Sequence, residues 1–147
     1  MPDSEATHPA APAFTMPLER GKIREFAMAT GSNSDEYLTD PAPVIPPTFL
    51  RTAAFWTPPD AGSRLHGIKL DLRRVLHGEQ EYTFFGPPPR AGAELTVTQR
   101  VESVETKQGK RGGEMLVIVI VNDFSDVSGR LVAQGRQTLI QTGKAPQ

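Results

Sequence analysis

The second half of the chain alternates between apolar and polar positions. In "LTVTQRVESVETK", Leu95, Val97, Gln99 and Val101 fall two residues apart, the period that puts side chains on one face of a strand. "GEQEYTFFG" repeats the pattern with Gln80, Tyr82 and Phe84, and "RLVAQGRQTLIQT" alternates again. "EMLVIVIVNDF" is apolar in both phases, as a central strand covered on both faces requires. "PPPRAGAE", "QGKRGG" and "SDVSG" carry the Pro, Gly, Asp and Ser that turns use. The long strands are therefore expected to follow one another as an antiparallel meander.

The first half has the period of a helix. In "PLERGKIREFAMATGS", Ile23, Phe26, Ala27 and Thr30 lie at i, i+3, i+4 and i+7. Pro17 suits the first turn and Gly31 the position just past the end, while Gly21 weakens the start. "SNSDEYLTDPAPVIPPTF" reads as a loop with one helical turn at residues 35–38. "PTFLRTAAFW" permits helix at its Ala-rich centre, and "TPPDAGS" breaks it. "RLHGIKLDLRRVLHG" is ambiguous: Leu70, Val75 and Leu76 allow a short helix closed by Gly78. The class is α+β, a helix packed on an antiparallel sheet. Residues 1–15 lack apolar periodicity and are rich in Pro, Ala and Ser, so they are expected to form a flexible leader. Residues 16–143 would be a single domain and 144–147 a short tail.

Composition narrows the function classes. The 147 residues suit one domain with a real core. A formal net charge of -1 gives no electrostatic case for nucleic acid or an anionic membrane surface. The absence of cysteine excludes disulfides and thiolate metal sites. No apolar run approaches the roughly 20 residues that span a bilayer, and "MPDSEATHPAAPAFT" lacks the charged and apolar regions of a secretory signal. A cytoplasmic protein with neither nucleic-acid nor membrane partners is expected.

"LHGEQEYTFF" places His77, Glu79 and Glu81 two residues apart. In an extended strand they share one face, where an imidazole and two carboxylates could bind a metal or move a proton. A fourth ligand is missing. The structural expectation is that Gly78 lets the chain turn into the strand while the polar groups satisfy neighbouring backbone or a partner. No metal site and no cofactor is expected. His8 and His66 carry no constellation, and "GKRGG" has neither the spacing nor the following helix of a phosphate loop.

A helix ending in "FAMATG", then "APVIPPTF", "LHGEQEYTFFGPPPRAG", "ETKQGKRGGEMLVIVIV" and "GRLVAQGRQTLI" together resemble the FAS1-like dehydratase, or MaoC N-terminal, family over residues 18–142. The resemblance implies the hot-dog fold, an antiparallel sheet wrapped around a central helix, with members working as pairs of hot dogs in one chain or between chains. It implies acyl thioesters of CoA or acyl carrier protein as substrates, in fatty-acid or steroid metabolism. The reaction is reversible hydration of a trans-2-enoyl thioester to the (R)-3-hydroxyacyl thioester. Mycobacterial fatty-acid dehydratases and steroid side-chain hydratases of this type pair such a subunit with a catalytic MaoC-like subunit.

That hydration needs a base for water, an acid for the α-carbon and a backbone N–H for the thioester carbonyl. Catalytic hot-dog hydratases carry an Asp and a His in a loop resembling T-G-D-x-N-P-x-H after the first helix. Here the loop reads "TGSNSDEY". Ser32 stands at the Asp position, Asp35 at the Pro position and Tyr37 at the His position. A lone serine is no general base near neutral pH, and a phenol with a pKa of about 10 replaces histidine poorly. No catalytic residue is expected, with Asp35, Glu36 and His77 as fallback candidates and solvated carboxylates as the plain alternative. The resemblance also makes Ala53, Ala54, Phe55 and Trp56 candidates for an acyl tunnel, against plain core or interface. Lys107, Lys110 and Arg111 could meet CoA phosphates, against a solvated hairpin.

Three functions follow. The first is a hot-dog subunit without the dyad, supplying acyl pocket and dimer surface to a MaoC-like partner. The second is a self-sufficient homodimeric enoyl-CoA hydratase with a relocated acid and base. The third is a non-enzymatic acyl-thioester-binding module. Edge pairing of the sheet into a continuous double hot dog, with a partner or a second copy, is expected because residues 115–121 are too apolar to face water.

Overall fold

The computed structural model describes residues 11–59, 67–110 and 113–143. Among them the strands are β1 (Phe14–Pro17), β2 (Val75–Phe84), β3 (Glu94–Gln108), β4 (Glu114–Ser125) and β5 (Leu131–Gln141). They form one antiparallel sheet in the order β1-β3-β4-β5-β2. The helices α1 (Arg20–Ala29) and α2 (Asp35–Leu38) precede a 3₁₀ helix, Phe49–Trp56, and a second 3₁₀ turn, Leu72–Arg74. The α+β class holds, and β3, β4 and β5 follow one another as the meander.

The strand phases are those of the sequence. Leu95 and Val97 of β3, Ile118, Ile120 and Phe124 of β4, and Ala133 and Leu139 of β5 are buried. They share the face that carries the core. The main cluster joins Met16, Leu18, Ile23, Phe49, Leu50 and Phe124, and a smaller one joins Ile118, Ile120 and Leu139. The 3₁₀ helix contributes Phe49, Leu50 and Ala53 to the main cluster. The α1 helix contributes Ile23, and its Phe26 ring meets Phe49 edge-on with centroids 5.5 Å apart. On the outer face Val121 lies in register between Arg100 and Arg136. Arg136 pairs with Glu102 on the far side of β4, and Val121 is only 1% exposed, as expected where arginine stems lie over an apolar position.

The start of the domain differs from expectation. Phe14 and Thr15, assigned to the leader, are the first residues of β1, paired with Val97 and Thr96. Pro17 ends that strand instead of opening α1. A proline without an N–H is tolerated at the end of a short edge strand. Residues 11–13 precede β1 without regular secondary structure, and residues 1–10 of the expected leader and the tail 144–147 lie outside the described residues. The end of α1 is as read: Thr30 caps it, its Oγ1 donating to Phe26 O at 2.9 Å, and Gly31 follows at φ +79°, the left-handed conformation that glycine accepts without strain.

Candidate functional site

The site is built on the inner face of the sheet, and a bulge decides which residues reach it. His77 lies opposite Leu139 and Glu79 opposite Thr138, so Gly78 is an extra residue in β2. A bulge of one residue reverses the facing of everything before it. His77 therefore joins Gln80, Tyr82 and Phe84 on the inner face, opposite Leu139, Gln137, Gly135 and Ala133. Glu79 and Glu81 pair with Thr138 and Arg136 on the outer face. The same-face arrangement of His77, Glu79 and Glu81 is thus corrected, because the strand is not unbroken. Gly78 does not close a helix either; β2 runs through it. Among the described residues no three acidic or imidazole groups are close enough to hold a metal ion.

The inner face carries polar residues inside an apolar frame. One rung of the sheet reads Gln99, Asn122, Gly135, Tyr82, and the next reads Val101, Ile120, Gln137, Gln80. Gln99 Nε2 donates to Asn122 Oδ1 at 2.9 Å. Gln137, only 9% exposed, places Nε2 2.8 Å from His77 Nδ1. With the amide as donor, the neutral ring carries its proton on Nε2. Gly135 leaves room for the neighbouring ring, since a Cβ there would come 3.1 Å from Tyr82 Cε1. Burial pushes the Tyr82 phenol above its ordinary pKa, and Arg51 partly offsets this.

These residues line a cavity of about 270 Å³. Leu50, Arg51, Ala53 and Ala54 of the 3₁₀ helix close it from the other side, with Leu72 and Val75 along the wall. A second groove of about 470 Å³ lies between α1 and the 3₁₀ helix, lined by Phe26, Phe49, Phe55 and Trp56 with Lys22 and Glu25. The four residues expected to line one tunnel are therefore divided. Ala53 and Ala54 face the inner cavity, and Phe55 and Trp56 the outer groove.

The loop after α1 holds the remaining candidates. Ser32 donates its backbone N–H to Ala27 O at 2.8 Å, closing the helix. Asp35 and Glu36 are exposed in α2, while Tyr37 is half-buried against the main core cluster. Burial, then the Glu36 carboxylate, pushes the Tyr37 phenol above its ordinary pKa. None of the four lines either cavity. Lys107, on β3, pairs with Glu105 at 3.3 Å, and Lys110 is exposed. Arg111, His8 and His66 lie outside the described residues.

Residues 5–135 match the FAS1-like dehydratase domain region. The chain belongs to the FAS1-like dehydratase family. A UPF0336 protein of Streptomyces griseus is 32% identical over 144 residues, spanning 91% of this chain and 89% of that one. Among solved structures, the HadBC 3R-hydroxyacyl-ACP dehydratase complex of Mycobacterium tuberculosis matches with a TM-score of 0.67 at 21% identity, over 88% of this chain and 95% of that chain. A MaoC-like dehydratase matches with a TM-score of 0.71 at 21% identity, over 93% of this chain but 42% of that one. The sheet and its helices are a hot dog. Gln137 and Asn122 were not singled out in the sequence. Their signal was an amide standing in the apolar phase of a strand, as Gln80 and Gln99 also do.

Proposed function

We propose that this FAS1-like dehydratase chain is the non-catalytic hot-dog subunit of an (R)-specific enoyl thioester hydratase/3-hydroxyacyl thioester dehydratase. It supplies acyl pocket and pairing surface to a MaoC-like chain that carries the Asp and His. The observation that supports it most is the loop after α1. Among the described residues no hydrogen bond joins the Ser32 hydroxyl to a base, and the Tyr37 phenol is held protonated by burial and by Glu36, so neither is suited to accept a proton near neutral pH. The substrate is an acyl thioester of CoA or acyl carrier protein, and the setting is cytoplasmic. Among the described residues no helix is long and apolar enough to cross a membrane.

Pairing has a physical motive in the sheet. β1 covers only residues 94–97 of β3, and β4 lies on the other side. Among the described residues, 98–108 therefore present a free strand edge, the kind of edge that pairs with another chain. HadBC is a complex, and the MaoC-like dehydratase chain is more than twice the length that this chain matches.

Affinity purification of the tagged chain from its native host, followed by sedimentation, tests the assembly. The expected result is a stable pair with a MaoC-like chain that has an intact Asp and His in its own loop. A monomer at micromolar concentration, soluble without any partner, contradicts it.

The pocket assignment makes a separate prediction. Ala54 lines the inner cavity, so Ala54→Leu narrows it. In the pair, the kcat/KM ratio of decenoyl-CoA to crotonyl-CoA is expected to fall by roughly 10-fold, the scale on which a pocket discriminates one or two methylenes. An unchanged ratio means that the acyl chain does not enter this cavity.

A further inference from the structure

The cavity on the inner face is more polar than a site for a hydrocarbon chain requires. His77, Gln80, Gln99, Asn122 and Gln137 all line it, from four strands, and no carboxylate does. The two side-chain pairs consume only part of their hydrogen-bonding capacity. Gln99 to Asn122 leaves the Gln99 carbonyl and the Asn122 amide hydrogens. Gln137 to His77 leaves the Gln137 carbonyl and the His77 Nε2–H. Donors and acceptors thus remain side by side, a set that matches a hydroxyl, which both donates and accepts, or a keto oxygen, which accepts. Leu72, Val75, Ile120 and Leu139 supply apolar wall between them. A plain alkyl chain entering here would strip water from these groups and replace none of its hydrogen bonds, which is unfavourable for each group so treated.

We propose that this cavity takes an acyl chain oxygenated away from its thioester, with a hydroxyl or keto oxygen of the chain held by Gln99, Asn122, Gln137 and His77. The proposal rests on the acyl-thioester reading above and adds the substrate class. The enzyme that supplies such a chain must leave an earlier carbonyl or hydroxyl of the chain in place, and not reduce every unit to methylene.

Isothermal titration tests it, using the full chain in the assembly in which it purifies. The probes are decanoyl-CoA and its derivatives hydroxylated once, at carbon 5, 7 or 9. At least one hydroxylated thioester is expected to bind about 10-fold tighter than decanoyl-CoA, because a site built to hydrogen-bond a hydroxyl rejects the analogue without it. Gln99→Met with Asn122→Leu removes both members of one pair, leaves neither orphaned, and is expected to abolish the preference. His77→Leu with Gln137→Leu removes the other pair in the same way, is a second variant, and should reduce the preference. If decanoyl-CoA binds as tightly as every hydroxylated probe, the oxygenated-chain proposal is overturned and the acyl-thioester reading stands. If no thioester binds, that reading fails and the proposal with it.

Discussion

Purified without a partner, the chain is expected to hydrate trans-2-enoyl-CoA at a negligible rate. Loss of a positioned acid or base typically costs about 10²- to 10⁴-fold, and here both expected positions are occupied by residues unsuited to the task. Ser32 spends its backbone N–H on closing α1, and among the described residues no base is hydrogen-bonded to its hydroxyl. Tyr37 is packed against the core, with its pKa raised first by burial and then by Glu36. With a catalytic MaoC-like chain supplied, Ser32→Ala and Tyr37→Phe in this chain should leave kcat/KM within about twofold, because neither group makes an interaction that strengthens in the transition state. Turnover by the chain alone near about 1 per second, an ordinary enzymatic rate, would sink the non-catalytic reading. Asp35→Asn, Glu36→Gln and His77→Ala would then identify which group moves the proton.

The parts of the molecule legible in the sequence are those written in local periodicity. Leu95, Val97, Gln99 and Val101 declare one face of β3, and Gln80, Tyr82 and Phe84 declare the matching face of β2. The same alternation already held the polar cavity in outline. An amide in an apolar phase is a buried polar group that must find a partner, and Gln99 finds Asn122. The features that were not legible depend on distant pairing. β1 is four residues long with a proline in it, and only its match to residues 94–97 makes it a strand. Phe55 and Trp56 differ from Ala53 and Ala54 in facing because a helical turn separates neighbours in space, which a reading of the stretch as one apolar unit conceals. The Gly78 bulge depends on a register with β5 some sixty residues later, so nothing local announces it. Yet it reverses the chemistry of "HGEQE", sending the imidazole inward and both carboxylates outward.

That reversal sets the second large effect. The extra residue itself can go without undoing it. With Gly78 deleted, His77 still faces Leu139 and Glu79 still faces Thr138, so β2 keeps every pair with β5. The pin at the start of the strand also stands: Thr142 N donates to Arg74 O at 2.8 Å and Arg74 Nε donates to Thr142 O at 2.7 Å. The inward imidazole is what Gln137 depends on. Gln137 is 9% exposed and places Nε2 2.8 Å from His77 Nδ1. His77→Leu removes that partner, and an orphaned buried polar group costs about 1–3 kcal/mol. That corresponds to a fall in Tm of about 3–10 °C for a chain of this size. His77→Leu with Gln137→Leu is the matched comparison. Replacing both partners by apolar groups leaves neither orphaned, so the loss should stay under about 1 kcal/mol. Thermal melts of the two variants, in the same assembly, separate the orphaned amide from the lost imidazole. Equal shifts in both would mean that Gln137 does not depend on His77.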